Sequence, residues 1–483
     1  MARGLGRRRT GEPFPNHVAQ TRSGRVTWHG QDEVPRAPPL AGALSPAGGR
    51  RWFEEEPRNL AAFWLLGVLN NSTGVIMMAG AKVIHGSGVG LVFLSAVVPS
   101  LALKLSGPYW FHLLTYRARM SLVAALMAAS LVTVALGQSL PAQLSGVALA
   151  SLGGGIGEPN CLAMCSFYNS RETLTMWSSG TGFAGVFGYA WVAVGHYLLG
   201  LPFPTVLLSA TSMAAAWLWV YLRVLRHPAE LDAAGAPSPP GSPRGGAPGG
   251  AIELPIRGPG AAPERKGRDG GGGGGQGGGG PGGGGAGARG HAHGESRAQV
   301  MGAGERLART VALWPWMVPL LVVYFSEYAM QAGAWAAIGF PASDPGAREA
   351  FYEYANWTYQ AGVFVSRSSG VVLEVGMGWL WAMPVAQAGF LAFFVLTALF
   401  RFWYGWSLLA PCFATGLLGG AVYVNAFTHL ARSVPPEYRE FSLYTASLAD
   451  TLGIMLADAA GVVIQGCLFR YNGLPGADYS CGA

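Results

Sequence analysis

Runs of about 20 residues with few or no charges recur along this chain, and they constrain its fold more than any other feature. In lipid every backbone amide must find its partner within the protein, so only helices and closed barrels cross a bilayer. A run of about 20 apolar residues is the length of a helical span. Eleven such runs are present: Leu60–Ala79, Val89–Leu105, Ser121–Gln138, Leu144–Tyr168, Met176–Leu199, Thr205–Leu225, Val311–Gly339, Ala355–Leu373, Gly376–Phe400, Trp406–Phe427 and Phe441–Phe469. Only 12% of the 483 residues are charged, about half the share usual in a soluble protein. The expected fold is therefore an all-α polytopic membrane protein with six spans, a break, and five more.

The break is compositional. Between the sixth and seventh runs the chain reads Pro-Ser-Pro-Pro-Gly and then long glycine tracts, which bury too little to offset their ordering entropy. This predicts a disordered N-terminal tail over 1–59, a six-helix part over 60–225, a disordered linker over 226–310, a five-helix part over 311–469 and a short tail over 470–483. Arginines flank the even-numbered turns (Arg117, Arg119, Arg171, Arg226, Arg306, Arg309, Arg432 and Arg439), whereas the opposite turns hold few basic residues. The positive-inside rule then places the N-terminus and the linker in the cytosol. The C-terminus falls on the other side, as does the sequon at Asn356, a candidate for glycosylation.

Several patterns are excluded. The net charge of +7 comes from scattered Arg in the soluble segments, so no nucleic-acid surface is expected. Gly153-Gly-Gly-Ile-Gly157 lacks the strand before it and the Lys-Ser/Thr after it that a phosphate loop needs. With no HExxH, GxSxG or Walker A signature, neither an enzyme nor a cofactor or metal is expected. The five cysteines have no disulfide or metal spacing, and Cys481 is followed by too few residues for a prenylation box. The glycines Gly416, Gly419 and Gly420 and the run Ser178–Gly182 read as small-residue surfaces for close helix packing.

Against this apolar background the polar residues stand out, because an ionisable group inside a membrane is expensive and marks a functional position. They are Asn70 and Asn71 in the first run, Glu158 in the fourth, Glu327 in the seventh, Arg367 in the eighth, Tyr423 and Asn425 in the tenth, and Asp450 and Asp458 in the eleventh. Runs one, four, seven and ten open successive three-helix units, and in major-facilitator-like transporters such helices line a central cavity. The Asn residues fit equally well as helix-to-helix hydrogen bonders, and Arg367 and Asp450 fit as mutual counter-ions.

Taken in order, Phe63-Trp-Leu-Leu-Gly-Val-Leu-Asn-Asn71, Trp177-Ser-Ser-Gly-Thr-Gly182, Val322-Val-Tyr-Phe-Ser-Glu-Tyr328, Tyr359-Gln-Ala-Gly-Val-Phe-Val-Ser-Arg-Ser-Ser369, Leu417-Leu-Gly-Gly-Ala-Val-Tyr-Val-Asn425, Arg439-Glu-Phe441 and Asp450-Thr-Leu-Gly453 resemble the battenin family. The resemblance implies a major-facilitator-like fold in a lysosomal, late endosomal or vacuolar membrane. It also implies a link to lumenal pH homeostasis, basic amino-acid transport and glycerophosphodiester clearance. The family's motif positions fall on Asn70, Asn71, Glu158, Glu327, Tyr328, Gln360, Arg367, Tyr423, Asn425 and Asp450. The resulting expectation is an alternating-access transporter of a small polar solute, with protons and the lipid bilayer as its other partners. In it Glu158 and Glu327 meet protons or a substrate ammonium, Arg367 meets an anionic end, and Tyr328, Gln360, Tyr423 and Asn425 orient the solute. The alternative is a non-transporting membrane scaffold that regulates trafficking and acidification.

Overall fold

The computed structural model describes residues 53–79, 89–229, 231, 301–477 and 481. The two segments expected to be disordered lie largely outside these residues. Everything described is helix, turn or connection. The first group of helices is α1 (Pro57–Ala79), α2 (Val89–Trp110), α3 (Tyr116–Leu136), α4 (Leu140–Met164), α5 (Ser170–Val192), α6 (Phe203–Ala210) and α7 (Ser212–Trp219). The second is α8 (Ala303–Ala312), α9 (Trp314–Ala329), α10 (Pro345–Ser368), α11 (Met377–Phe400), α12 (Leu409–Ser433), α13 (Pro436–Ala446) and α14 (Leu448–Asn472).

Among the described residues six stretches are long and apolar enough to cross a membrane, with mean hydropathy of 1.5 to 1.9. The bent pair α8–α9, turned by 64°, makes a seventh if counted as one span. The expected count of eleven is therefore not reached by apolarity. Of the helices that miss, α4, α5 and α10 are rich in Gly, Ser and ionisable residues. The eighth run was expected over Ala355–Leu373, but α10 begins ten residues earlier, behind an N-cap in which Asp344 accepts from the Gly346 amide at 2.9 Å. Its first half carries Glu349, Tyr352 and Glu353, and so looks like a loop to any measure of apolarity. The eleventh run is split at Ser447 into α13 and α14.

Packing follows the small residues. α1 lies along α5, α2 along α4, α9 along α14 and α10 along α12, while α2 meets α14 and α5 meets α10 across the two groups. At the α1–α5 crossing a Cβ on Gly180 would sit 2.1 Å from the Trp64 carbonyl oxygen, and at α10–α12 a Cβ on Gly416 would sit 2.1 Å from that of Tyr359. Backbones this close gain dispersion contacts that no larger residue permits.

One end of the bundle collects arginines. Arg58 donates to the carbonyls of Arg223 and Val224, Arg171 to that of Val371 at 2.7 Å, and Arg432 to Glu374. Cys467 and Cys481 form a disulfide, with Cα atoms 4.9 Å apart, which corrects the expectation that no cysteine pairs. The pair lies only 14 residues apart, and helix spacing gives no hint of a partner in the segment after α14. The remaining three cysteines are free and buried.

Candidate functional site

The second halves of α1 and α9, the middle of α4, the stretch of α10 from Glu349 to Gln360, and parts of α2, α5 and α14 enclose a cavity of about 570 Å³. That volume suits a small organic solute. Its lining lies on the part of α1 and of α10 away from the arginine end, and exposed Tyr197, Glu349 and Glu353 stand on its rim. The arginine end is closed, in part by a 2.9 Å hydrogen bond between Ser179 on α5 and Ser368 on α10.

The innermost wall is an ion cluster. Lys104 on α2 is 2% exposed, and its ammonium donates to Glu158 Oε2 at 2.7 Å, Asp450 Oδ1 at 3.1 Å, Thr451 Oγ1 at 2.7 Å and the Ser447 carbonyl at 2.9 Å. Glu158 belongs to α4, whereas Asp450 and Thr451 belong to α14, so one ammonium ties the two groups of helices together. The alternative pairing of Arg367 with Asp450 is not made. Arg367 donates to Thr181 at 2.6 Å and to the Tyr324 hydroxyl at 2.7 Å, and its guanidinium lies 4.1 Å from the Tyr423 ring centre. Tyr423 in turn donates to Glu158 Oε1 at 2.9 Å, which joins the two systems.

Of the residues singled out in the sequence, Asn70, Asn71, Glu158, Tyr328, Gln360 and Asp458 line the cavity. Glu327, Arg367, Tyr423, Asn425 and Asp450 do not. Glu327 points to the other side of α9, where its Oε1 accepts from the Tyr359 hydroxyl at 3.0 Å and packs onto Gly419. Asn425 accepts from the Val375 amide at 3.0 Å, which fixes the turn after α10. Asn356, the glycosylation candidate, is not presented at the outer surface of this fold. It is 4% exposed, in mid-helix on the cavity wall, and its amide donates to the Tyr352 carbonyl at 2.8 Å. A glycosylated Asn must stand at the surface.

Lys104 escapes sequence reasoning, because a lysine near a helix end reads as one whose stem snorkels to the interface. Its partners are 54 and 346 residues away. Glu172 is another residue the sequence does not single out. Its carboxylate accepts from the backbone amides of Glu54 and Glu55 and so anchors the entry to α1. Among the described residues no group of three or more His, Cys, Asp or Glu is arranged to hold a metal ion.

Solved structures share this architecture. The human organic anion transporter MFSD10 superposes with a TM-score of 0.52 at 14% identity, covering 87% of this chain and 98% of that one. The proton:xylose symporter XylE superposes at 0.54 with 10% identity, covering 88% and 92%. At these identities the likeness shows the fold alone, the helical architecture that these two structures share. Sequence relatives are nearer. Protein btn1 of Aspergillus fumigatus is 32% identical over 436 residues, covering 88% of this chain and 91% of the relative. Battenin of Canis lupus familiaris is 30% identical over 434 residues, covering 83% and 89%. The CLN3 protein family model matches residues 61–240 and 287–471, which includes every helix that builds the cavity except the first few residues of α1 and the last residue of α14. A multi-pass helical membrane protein with this cavity and these matches belongs to the CLN3 protein, or battenin, family.

Proposed function

We propose that this protein is an alternating-access transporter of a small polar solute in a lysosomal, late endosomal or vacuolar membrane. The solute is a glycerophosphodiester or a basic amino acid such as arginine, and its movement contributes to lumenal pH homeostasis. The observation that carries this reading is the cavity of about 570 Å³, lined from both groups of helices, open away from the arginine end and closed at it. With the arginines cytosolic, this is the state that receives solute from the lumen or exterior, and the N-terminus is cytosolic.

The helices before residue 229 and those after residue 301 act as two rocking bodies, with contacts at α2–α14 and α5–α10 remade in each cycle. Lys104 on α2 reaches across that division to Asp450 and Thr451 on α14, and Glu158 on α4 accepts across it from Tyr423 on α12, so solute or proton arriving at Glu158 weakens a link between the bodies. Arg367, held against Tyr324 and Tyr423 behind the wall, orders the aromatic layer beneath the solute in this state. The alternative of a passive scaffold leaves a desolvated ion cluster and a polar cavity without a use.

Reconstitution into liposomes tests the proposal. Purified protein is expected to exchange labelled arginine or glycerophosphocholine, with saturation and with loss in Glu158→Gln. Folded protein that moves neither, nor any other small solute across a metabolite panel, sinks the transport reading and favours the scaffold.

A further inference from the structure

The acids around the cavity are not equivalent. Glu158 and Asp450 share the Lys104 ammonium, and Glu327 faces Tyr359 on the far side of α9. Asp458, two turns beyond Asp450 on α14, is different. It lines the cavity and is only 7% exposed, and its Oδ2 has no hydrogen-bond partner among the described residues. A carboxylate oxygen withdrawn from water and left without a donor is costly, and an incoming donor with positive charge relieves that cost. Among the described residues the lining offers no such donor. Lys104 is the one basic residue among the described residues there, and its ammonium already faces four oxygens.

The surroundings favour the same kind of ligand. Tyr189, Tyr328, Tyr352 and Trp357 line the same space, and the Tyr189 and Trp357 rings approach to 5.6 Å between centres. Aromatic faces attract an organic cation that has shed part of its water. Glu353, exposed on the rim, extends the negative potential outward along α10.

We propose that Asp458 is the specificity-determining residue of the cavity and takes the cationic group, an ammonium or a guanidinium, of the transported solute. This rests on the transport reading. A neutral solute of the same shape leaves the carboxylate charge uncompensated, so it is rejected by at least about tenfold.

The test uses two probe pairs that differ mainly in charge: arginine against citrulline, and glycerophosphocholine against glycerophosphoglycerol. Each is scored by liposome exchange and by the rise in melting temperature of the purified full chain. Wild type is expected to favour the cationic member of at least one pair. Asp458→Asn, close in shape, should keep the melting temperature of the empty protein and lose that preference, whereas Asp458→Glu should retain it. If Asp458→Asn still shows the wild-type preference in exchange or in thermal protection, the assignment is wrong while transport stands. If wild type exchanges no solute, the transport reading itself fails and takes the assignment with it.

Discussion

Gly419 shows how tightly single positions are set. A Cβ there would lie 1.6 Å from Glu327 Oε1, so the carboxylate occupies the space a side chain would need. Gly419→Ala is expected to expel Glu327 from its contact with Tyr359 and to destabilise the protein by about 1–3 kcal/mol, read as a lower melting temperature in detergent. Tyr359→Phe removes the hydroxyl and leaves the carboxylate with one donor fewer, a loss of about 1.5–3 kcal/mol. Pairing it with Glu327→Leu should recover most of that loss, and a double-mutant cycle on melting temperatures checks it. That Glu327 must find a partner was legible in the sequence, because a carboxylate in an apolar run needs one. Which side of α9 it faces was not, since that depends on a tyrosine hydroxyl and a glycine from two other helices.

Among the elements, α10 and α14 carry most of what the site does. α14 offers Asp450 and Thr451 to Lys104, and α2 supplies the lysine. Lys104→Met is expected to destabilise by about 3–5 kcal/mol, because it strands two buried carboxylates. Adding Glu158→Gln and Asp450→Asn should restore melting temperature but not solute exchange, and this outcome separates the structural from the transport role of the cluster. The apolar helices α3, α11 and α12 were readable from composition, α11 to within one residue at each end and α3 and α12 with one end five or six residues off. The start of α10 was not, because a helix that faces a water-filled cavity is amphipathic and loses the contrast an apolarity scan relies on. The residues that make it hard to find, Glu349, Tyr352 and Glu353, are those it contributes to the cavity.

For the whole molecule, on the transport reading proposed above, the arginine end is the part that must open for solute to leave. Ser179 and Ser368, 2.9 Å apart through their hydroxyls, mark the closure between α5 and α10. The double variant Ser179→Cys/Ser368→Cys should cross-link under oxidation and stop exchange, with activity returning on reduction; exchange that continues in the fully cross-linked protein would mean that this contact does not part during the cycle. Lys104 has a wider consequence. The two carboxylates, the hydroxyl and the carbonyl around its ammonium form the kind of oxygen nest that in other membrane proteins is filled by a dissolved alkali metal ion. Here the occupant is covalently attached and cannot be diluted away. Melting temperature and exchange should therefore be unchanged when sodium is replaced by a bulky organic salt, whereas Lys104→Ala, its nest vacant, should become dependent on sodium or potassium for stability. The protein brings its own counter-ion.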